Sequence, residues 1–96
     1  MLILVTYDVN TETAAGRRRL NRVAKKCESR GQRVQNSVFE CVLDATQLRV
    51  LEHELTQLID SEKDSLRFYN LGNRYQNRVT HVGAKPGFSV EDPLIL

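Results

Sequence analysis

The order of hydrophobic patterns along the chain predicts an α+β fold: a ferredoxin-like βαββαβ sandwich with an additional C-terminal strand, its antiparallel sheet carrying both helices on one face. Three observations predict it. Residues 2–8, LILVTYD, are a short apolar run without alternation. Two longer segments repeat apolar residues at helical spacing. Between those segments, QRVQNSVFECVL alternates with period two around a turn-prone Asn-Ser pair.

The first run suits a central strand covered on both faces, because Leu2, Ile3, Leu4 and Val5 leave no side for water. Asn10, Thr11 and Thr13 offer N-cap side chains for a first helix reaching to about Arg30. Its apolar stripe is Leu20, Val23, Ala24 and Cys27, with Arg18, Arg22, Lys25 and Lys26 on the other side. Gly31 is placed to close this helix as a left-handed cap. Two short strands follow, joined as a tight hairpin or with a bulge, with Phe39, Cys41 and Leu43 on one face. Asp44 and Gln47 have capping-box spacing at the start of a second helix striped by Leu48, Leu51, Leu55, Leu58 and Ile59. SLRFYNL is the fourth strand, and after the turn-prone LGN, Arg78–Val82 reads as a fifth that needs the sheet edge of a second subunit.

A chain of 96 residues makes one core, here residues 1–83, with residues 84–96 as a tail whose apolar LIL end docks on a dimer partner. Charged content of 27% and apolar content of 41% are those of a globular protein, and no apolar run approaches the roughly 20 residues that span a bilayer. No signal peptide is expected, since the N-terminus lacks a basic segment and a small-residue cleavage site. Two cysteines without C-x-x-C spacing fit a reducing cytoplasm and read as buried core thiols.

The net charge of +2 conceals a segregated distribution. Arg17, Arg18, Arg19, Arg22, Lys25, Lys26, Arg30 and Arg33 stand against the single acid Glu28. From Glu40 to Asp64 acids dominate instead. Segregation of this kind gives a small domain one positive side suited to polyanions; the alternative is a merely solvated helix face.

Candidates for chemistry are few. Asp8 closes an apolar strand and reads either as a turn or cap residue or as a metal ligand. His53 and His81 have no partner at ligand spacing and read as surface or satisfied histidines. Ser37 lacks an Asp/His relay, so its place is near a phosphate rather than as a nucleophile. Glu40 reads as a solvated strand residue, and Phe39 as either core or partly exposed beside a site.

The strand end TYDV, the basic helix and the segment GQRVQNSVFEC together resemble the CRISPR-associated protein 2 family, the small partner of the CRISPR integrase in spacer acquisition and antiviral defence. The resemblance covers roughly residues 1–83, and the terminal EDPLIL resembles one subgroup. It implies a homodimer that binds DNA or RNA, with CRISPR-associated protein 1, the integrase, as partner and no membrane association. In some members it implies metal-dependent cleavage of phosphodiesters. Carried over, Asp8 matches the metal-binding acid and Tyr7 its neighbour. Arg33 and Phe39 match positions near the same site, and Arg17, Arg18, Arg19, Arg22 and Lys26 are the nucleic-acid-binding candidates. A two-fold dimer would bring two copies of Asp8 to one Mg²⁺ or Mn²⁺ shared between subunits. Three function classes follow: a metal-dependent nuclease, a non-catalytic DNA-bridging adaptor of the integrase, and an RRM-type RNA module. The last lacks its stacking platform, with only 6% aromatic residues.

Overall fold

The computed structural model describes residues 1–84, and their elements run β1 (Leu2–Asp8), α1 (Ala14–Glu28), β2 (Gln32–Gln35), β3 (Val38–Val42), α2 (Ala45–Leu58) and β4 (Ser65–Asn70). The sheet order is β2-β3-β1-β4, antiparallel throughout, as the ferredoxin-like reading requires. β1 is therefore central, with Val5 opposite both Phe39 and Phe68.

The helices start as their caps dictate. Thr13 Oγ1 accepts the Gly16 N–H at 3.0 Å, which selects it over Asn10 and Thr11 as the N-cap of α1. Asp44 and Gln47 form the expected capping box at α2, with reciprocal bonds of 2.7 and 2.9 Å. Gly31 differs from expectation. Among the described glycines only Gly72 and Gly83 have positive φ, and the cap of α1 is Ser29 in right-handed geometry. Gly31 is instead required by close approach, because a Cβ there would collide with Cys41 Sγ and the Glu40 carbonyl. The β2–β3 hairpin has both features that its sequence allows: a tight Asn36–Ser37 turn and a register shift between Arg33 and Gln35.

One face of the sheet holds the core. Ile3, Val5, Tyr7 and Val9 join Phe39, Cys41 and Leu43 there, covered by Val23 and Cys27 of α1 and Leu51 and Leu55 of α2. Burial pushes the Cys27 thiol up to about 12 and the Cys41 thiol up to about 11, so both are inert structural residues.

The other face departs from expectation. Among the described residues β1 is not covered on both faces: Leu4 and Thr6 are half-buried and Asp8 is exposed. Val42 and Tyr69 lie on this open face with 37% and 42% exposure. The additional strand over Arg78–Val82 is expected on the sheet edge of a second subunit, and within the single chain that segment has no ladder partner among the described residues. A strand exists only as a ladder partner, and here Thr80–Val82 and Ala84 stand off the β2–β3 hairpin across an open cleft of about 750 Å³. The tail's apolar end, LIL, lies outside the described residues.

A buried ion pair closes the far end of the sheet. Arg19 Nε donates to Asp64 Oδ2 at 2.7 Å, and the Asp64 side chain is fully shielded from solvent. Arg19 and two backbone N–H donors, on Asp60 and Asn10, hold the Asp64 carboxyl down at about 2, against an ordinary 3.8. For an acid depressed in the folded state, the stabilisation is complete above the ordinary value and is lost as pH falls through about 2. Urea midpoints of the protein should therefore fall between about pH 4 and pH 2. At neutral pH, Asp64→Asn should lose about 3–5 kcal/mol of stability, a gap that narrows towards pH 2.

Candidate functional site

Adjacent residues of a strand point to opposite faces, and this decides the geometry around Asp8. Tyr7 enters the core, and Asp8, the last residue of β1, stands exposed on the open face opposite Ser65 of β4. On the other side of β1, the Tyr7 N–H donates to the Ser37 carbonyl at 3.2 Å. The carboxylate thus occupies the end of β1, opposite Ser65 on one side, with the Asn36–Ser37 turn bonded to the preceding residue on the other.

Tyr7, Phe39 and Arg33 are brought together, but on the core side. The Tyr7 and Phe39 rings stack with centroids 6.2 Å apart, and the Arg33 guanidinium lies 5.1 Å from the Phe39 centroid. Phe39 has no solvent exposure, so its place is in the core. The Tyr7 hydroxyl and Arg33 Nη1 both donate to the Asn36 carbonyl, at 3.4 and 3.2 Å, and Arg33 Nη2 pairs with Glu28 at 3.1 Å. Burial raises the Tyr7 hydroxyl above its ordinary value, with Arg33 opposing. Tyr7 adjoins Asp8 in β1 but its ring points to the opposite face, and Phe39 and Arg33 lie with that ring on the core side. Their arrangement braces the Asn36–Ser37 turn.

The cationic candidates divide. Arg19 is engaged by buried Asp64; Lys26 and Arg30 both pair with Glu54 of α2. Arg17 is exposed and donates to the Thr11 carbonyl at 3.1 Å. Arg18, Arg22 and Lys25 are exposed and form no ion pair among the described residues, and their spacing lines one solvent-facing stripe of α1. Lys25 rather than Lys26 completes that stripe. The signal lay in the spacing, but which lysine meets Glu54 depends on how α2 packs.

Glu40 is not a fully solvated strand residue. It sits half-buried on the open face opposite Leu4, where burial raises its carboxyl. His53 and His81 are exposed, as expected, with His81 Nε2 3.1 Å from the Gly83 carbonyl.

Among the described residues no group of three or more His, Cys, Asp and Glu side chains is placed to hold a metal. Asp8 supplies one carboxylate per chain. That donor set fits a hard cation such as Mg²⁺, which keeps several waters and takes one or two carboxylates besides phosphate oxygens.

Fold and site define a class: a small ferredoxin-like α+β protein with one exposed acid at the end of its central strand and a cationic stripe on its first helix. Comparison with known proteins takes this further. The model of the CRISPR-associated protein Cas2 family matches residues 1–79. The CRISPR-associated endonuclease Cas2 of Halalkalibacterium halodurans is 62% identical, covering 99% of this chain and 99% of that protein. The CRISPR-associated endoribonuclease Cas2 of Nitratidesulfovibrio vulgaris is 56% identical, covering 100% of this chain and 94% of that one. A crystal structure of Streptococcus pyogenes Cas2 at pH 6.5 superposes with a TM-score of 0.76 at 58% identity, covering 86% of this chain and 100% of that one. The chain belongs to the Cas2 family of CRISPR-associated proteins. No helix among the described residues is long and apolar enough to cross a membrane.

The bracing stack yields a contrast between two variants. Tyr7→Phe keeps the ring contact and loses one long hydrogen bond, so it should cost no more than about 1 kcal/mol in urea unfolding. Phe39→Ala empties the centre of the stack and should cost about 3–5 kcal/mol.

Proposed function

We propose that this chain works as a homodimer in CRISPR spacer acquisition, beside the integrase, and that it hydrolyses phosphodiester bonds of bound nucleic acid with Asp8 holding a divalent cation. The observation that carries this reading is the placement of Asp8: an exposed carboxylate at the end of the central strand, on the sheet face that no helix among the described residues covers. The relatives from H. halodurans and N. vulgaris bear the names endonuclease and endoribonuclease, which supports a nuclease rather than a purely structural role.

The homodimer rests on the same face. Leu4, Val42 and Tyr69 are incompletely buried there, and a second copy of the sheet is the partner that matches it. Such a pairing would also supply a second Asp8, giving the cation two carboxylates from chains that contribute one each. Asp8 would hold Mg²⁺ or Mn²⁺, and the bound ion supplies a Lewis acid and a water of lowered pKa. Arg18, Arg22 and Lys25 neutralise backbone phosphates, which binds any sequence and leaves base identity unread. An RRM-type function is disfavoured because Tyr69 is the one aromatic on the open face among the described strands.

Asp8→Asn preserves shape and removes charge. Cleavage of RNA or duplex DNA in Mg²⁺ or Mn²⁺ should fall roughly a hundredfold or more, and EDTA should abolish it in the wild type. The variant should still sediment as a dimer. A wild-type chain that cleaves nothing with any metal, yet is required for spacer acquisition, establishes the DNA-bridging adaptor instead. A stable monomer at micromolar concentration removes the second carboxylate and with it the shared site.

The cationic stripe is tested by salt. Affinity for duplex DNA should fall linearly on a log–log scale. Replacing Arg18, Arg22 and Lys25 with Glu should flatten the slope by about 0.9 for each phosphate no longer neutralised. Binding that survives the triple change places the nucleic acid elsewhere.

A further inference from the structure

The buried Arg19–Asp64 pair lies one residue from the strand that faces Asp8, and the sequence offers no motif for it. We infer that this pair is the positioning element of the Asp8 site, locking the chain on both sides of the carboxylate; the inference rests on the reading of Asp8 as the ion-holding residue.

Asp8 has two structural neighbours that set its position. Across the ladder is Ser65, and two residues further along the chain is Asn10. Asp64 controls both. It immediately precedes Ser65, and its Oδ1 accepts the Asn10 N–H at 3.0 Å. The same carboxylate takes Arg19 Nε at 2.7 Å, Arg19 Nη2 at 3.3 Å and the Asp60 N–H at 2.9 Å. A single side chain thus ties together the exit of β1, the body of α1 through Arg19, and the entry to β4.

Helix α1 is seated against the same loop from the other side. Gly16 is buried, and a Cβ there would collide with the Asn10 carbonyl, while Asn10 Oδ1 accepts the Glu12 N–H at 3.0 Å. The loop that follows Asp8 is therefore held by a backbone contact on one flank and by a saturated carboxylate on the other. Neither flank leaves it room to drift.

Stability alone is a poor reason for such a pair. The desolvation of two charges commonly cancels their attraction, and apolar replacements of a buried pair are often neutral. What apolar groups cannot do is accept N–H donors from two separate loops while orienting a guanidinium. Residues that orient a metal ligand without touching the ion matter for affinity, and their loss typically costs roughly 10- to 100-fold. A site built from one carboxylate per subunit depends on such orientation more than a site with several ligands.

The test uses the full-length chain, with Asp64→Asn and, because that change leaves Arg19 unpaired, the double variant Arg19→Gln/Asp64→Asn, which removes both charges. Amide hydrogen exchange should accelerate at Asn10 and Asp60 by more than at Ile3–Val5 in β1, whose change reports only the loss of global stability. Titration with Mn²⁺ alone should show affinity weakened roughly 10- to 100-fold, with sedimentation and salt-dependent DNA binding unchanged. Arg19→Lys, which keeps the charge but not the fork, should recover part of the Mn²⁺ affinity. The inference is overturned if folded variants retain wild-type exchange at Asn10 and wild-type Mn²⁺ affinity. It is equally overturned if exchange at Asn10 and Asp60 rises no more than at Ile3–Val5, since the pair is then only a general stabiliser. Asp8→Asn is the separating control: if it binds Mn²⁺ as well as the wild type does, the metal reading of Asp8 fails, and exchange at Asn10 still decides whether the pair holds the loop.

Discussion

The two-residue alternation of β1 governs this molecule. β1 is the one strand paired on both sides to long partners, β3 and β4, so its side chains set which face of the sheet is core. Ile3, Val5, Tyr7 and Val9 go inward, and both helices must lie on that side to cover them. Leu4, Thr6 and Asp8 then go outward by necessity. A shift of register by one residue would bury the carboxylate and expose Tyr7, at a cost no surface contact could offset. The position of Asp8 is thus a by-product of how the core is filled, and so is its separation from Tyr7, Phe39 and Arg33.

Charge is organised by a second rule, in which distance through space outranks distance along the chain. α1 and the turn that follows it are densely cationic, yet several of their side chains are held by acids from the second half of the chain. Glu54 draws Lys26 and Arg30 onto α2, and its carboxyl is lowered chiefly by Lys26. Asp64 draws Arg19 largely out of solvent. What is left facing water is a narrower stripe than composition suggests. The partly exposed Glu54 pairs add little stability, typically under about 1 kcal/mol, but they decide which cations stay free for a polyanion.

The open sheet face and the unformed fifth strand have a common physical origin. A chain of this size covers one side of a four-stranded sheet with two helices, and among the described residues no further element covers the other. Apolar residues on that face and a segment beyond β4 without ladder bonds are both groups awaiting partners. A carboxylate at the rim of such a face is well placed for chemistry that two copies would share.

Much of this was legible in the residues themselves. The strand and helix order, the capping box of Asp44 and Gln47, the core set around Phe39 and Cys41, and Asp8 at the end of the first strand all follow from periodicities and caps that act over a few residues. The resemblance carried by TYDV and RVQNSVFE pointed to the family that comparison then established. Other features depended on the tertiary structure alone. Gly31 reads as a left-handed cap until the approach of β3 shows why no Cβ fits there. Arg19 reads as one arginine among several until Asp64, 45 residues away, is seen to hold it. Local patterns specify elements because their energetics lie within a turn or a pleat. The partner of a charge, and the clearance beside a glycine, are set by packing between elements far apart in sequence, and only the folded chain brings those together.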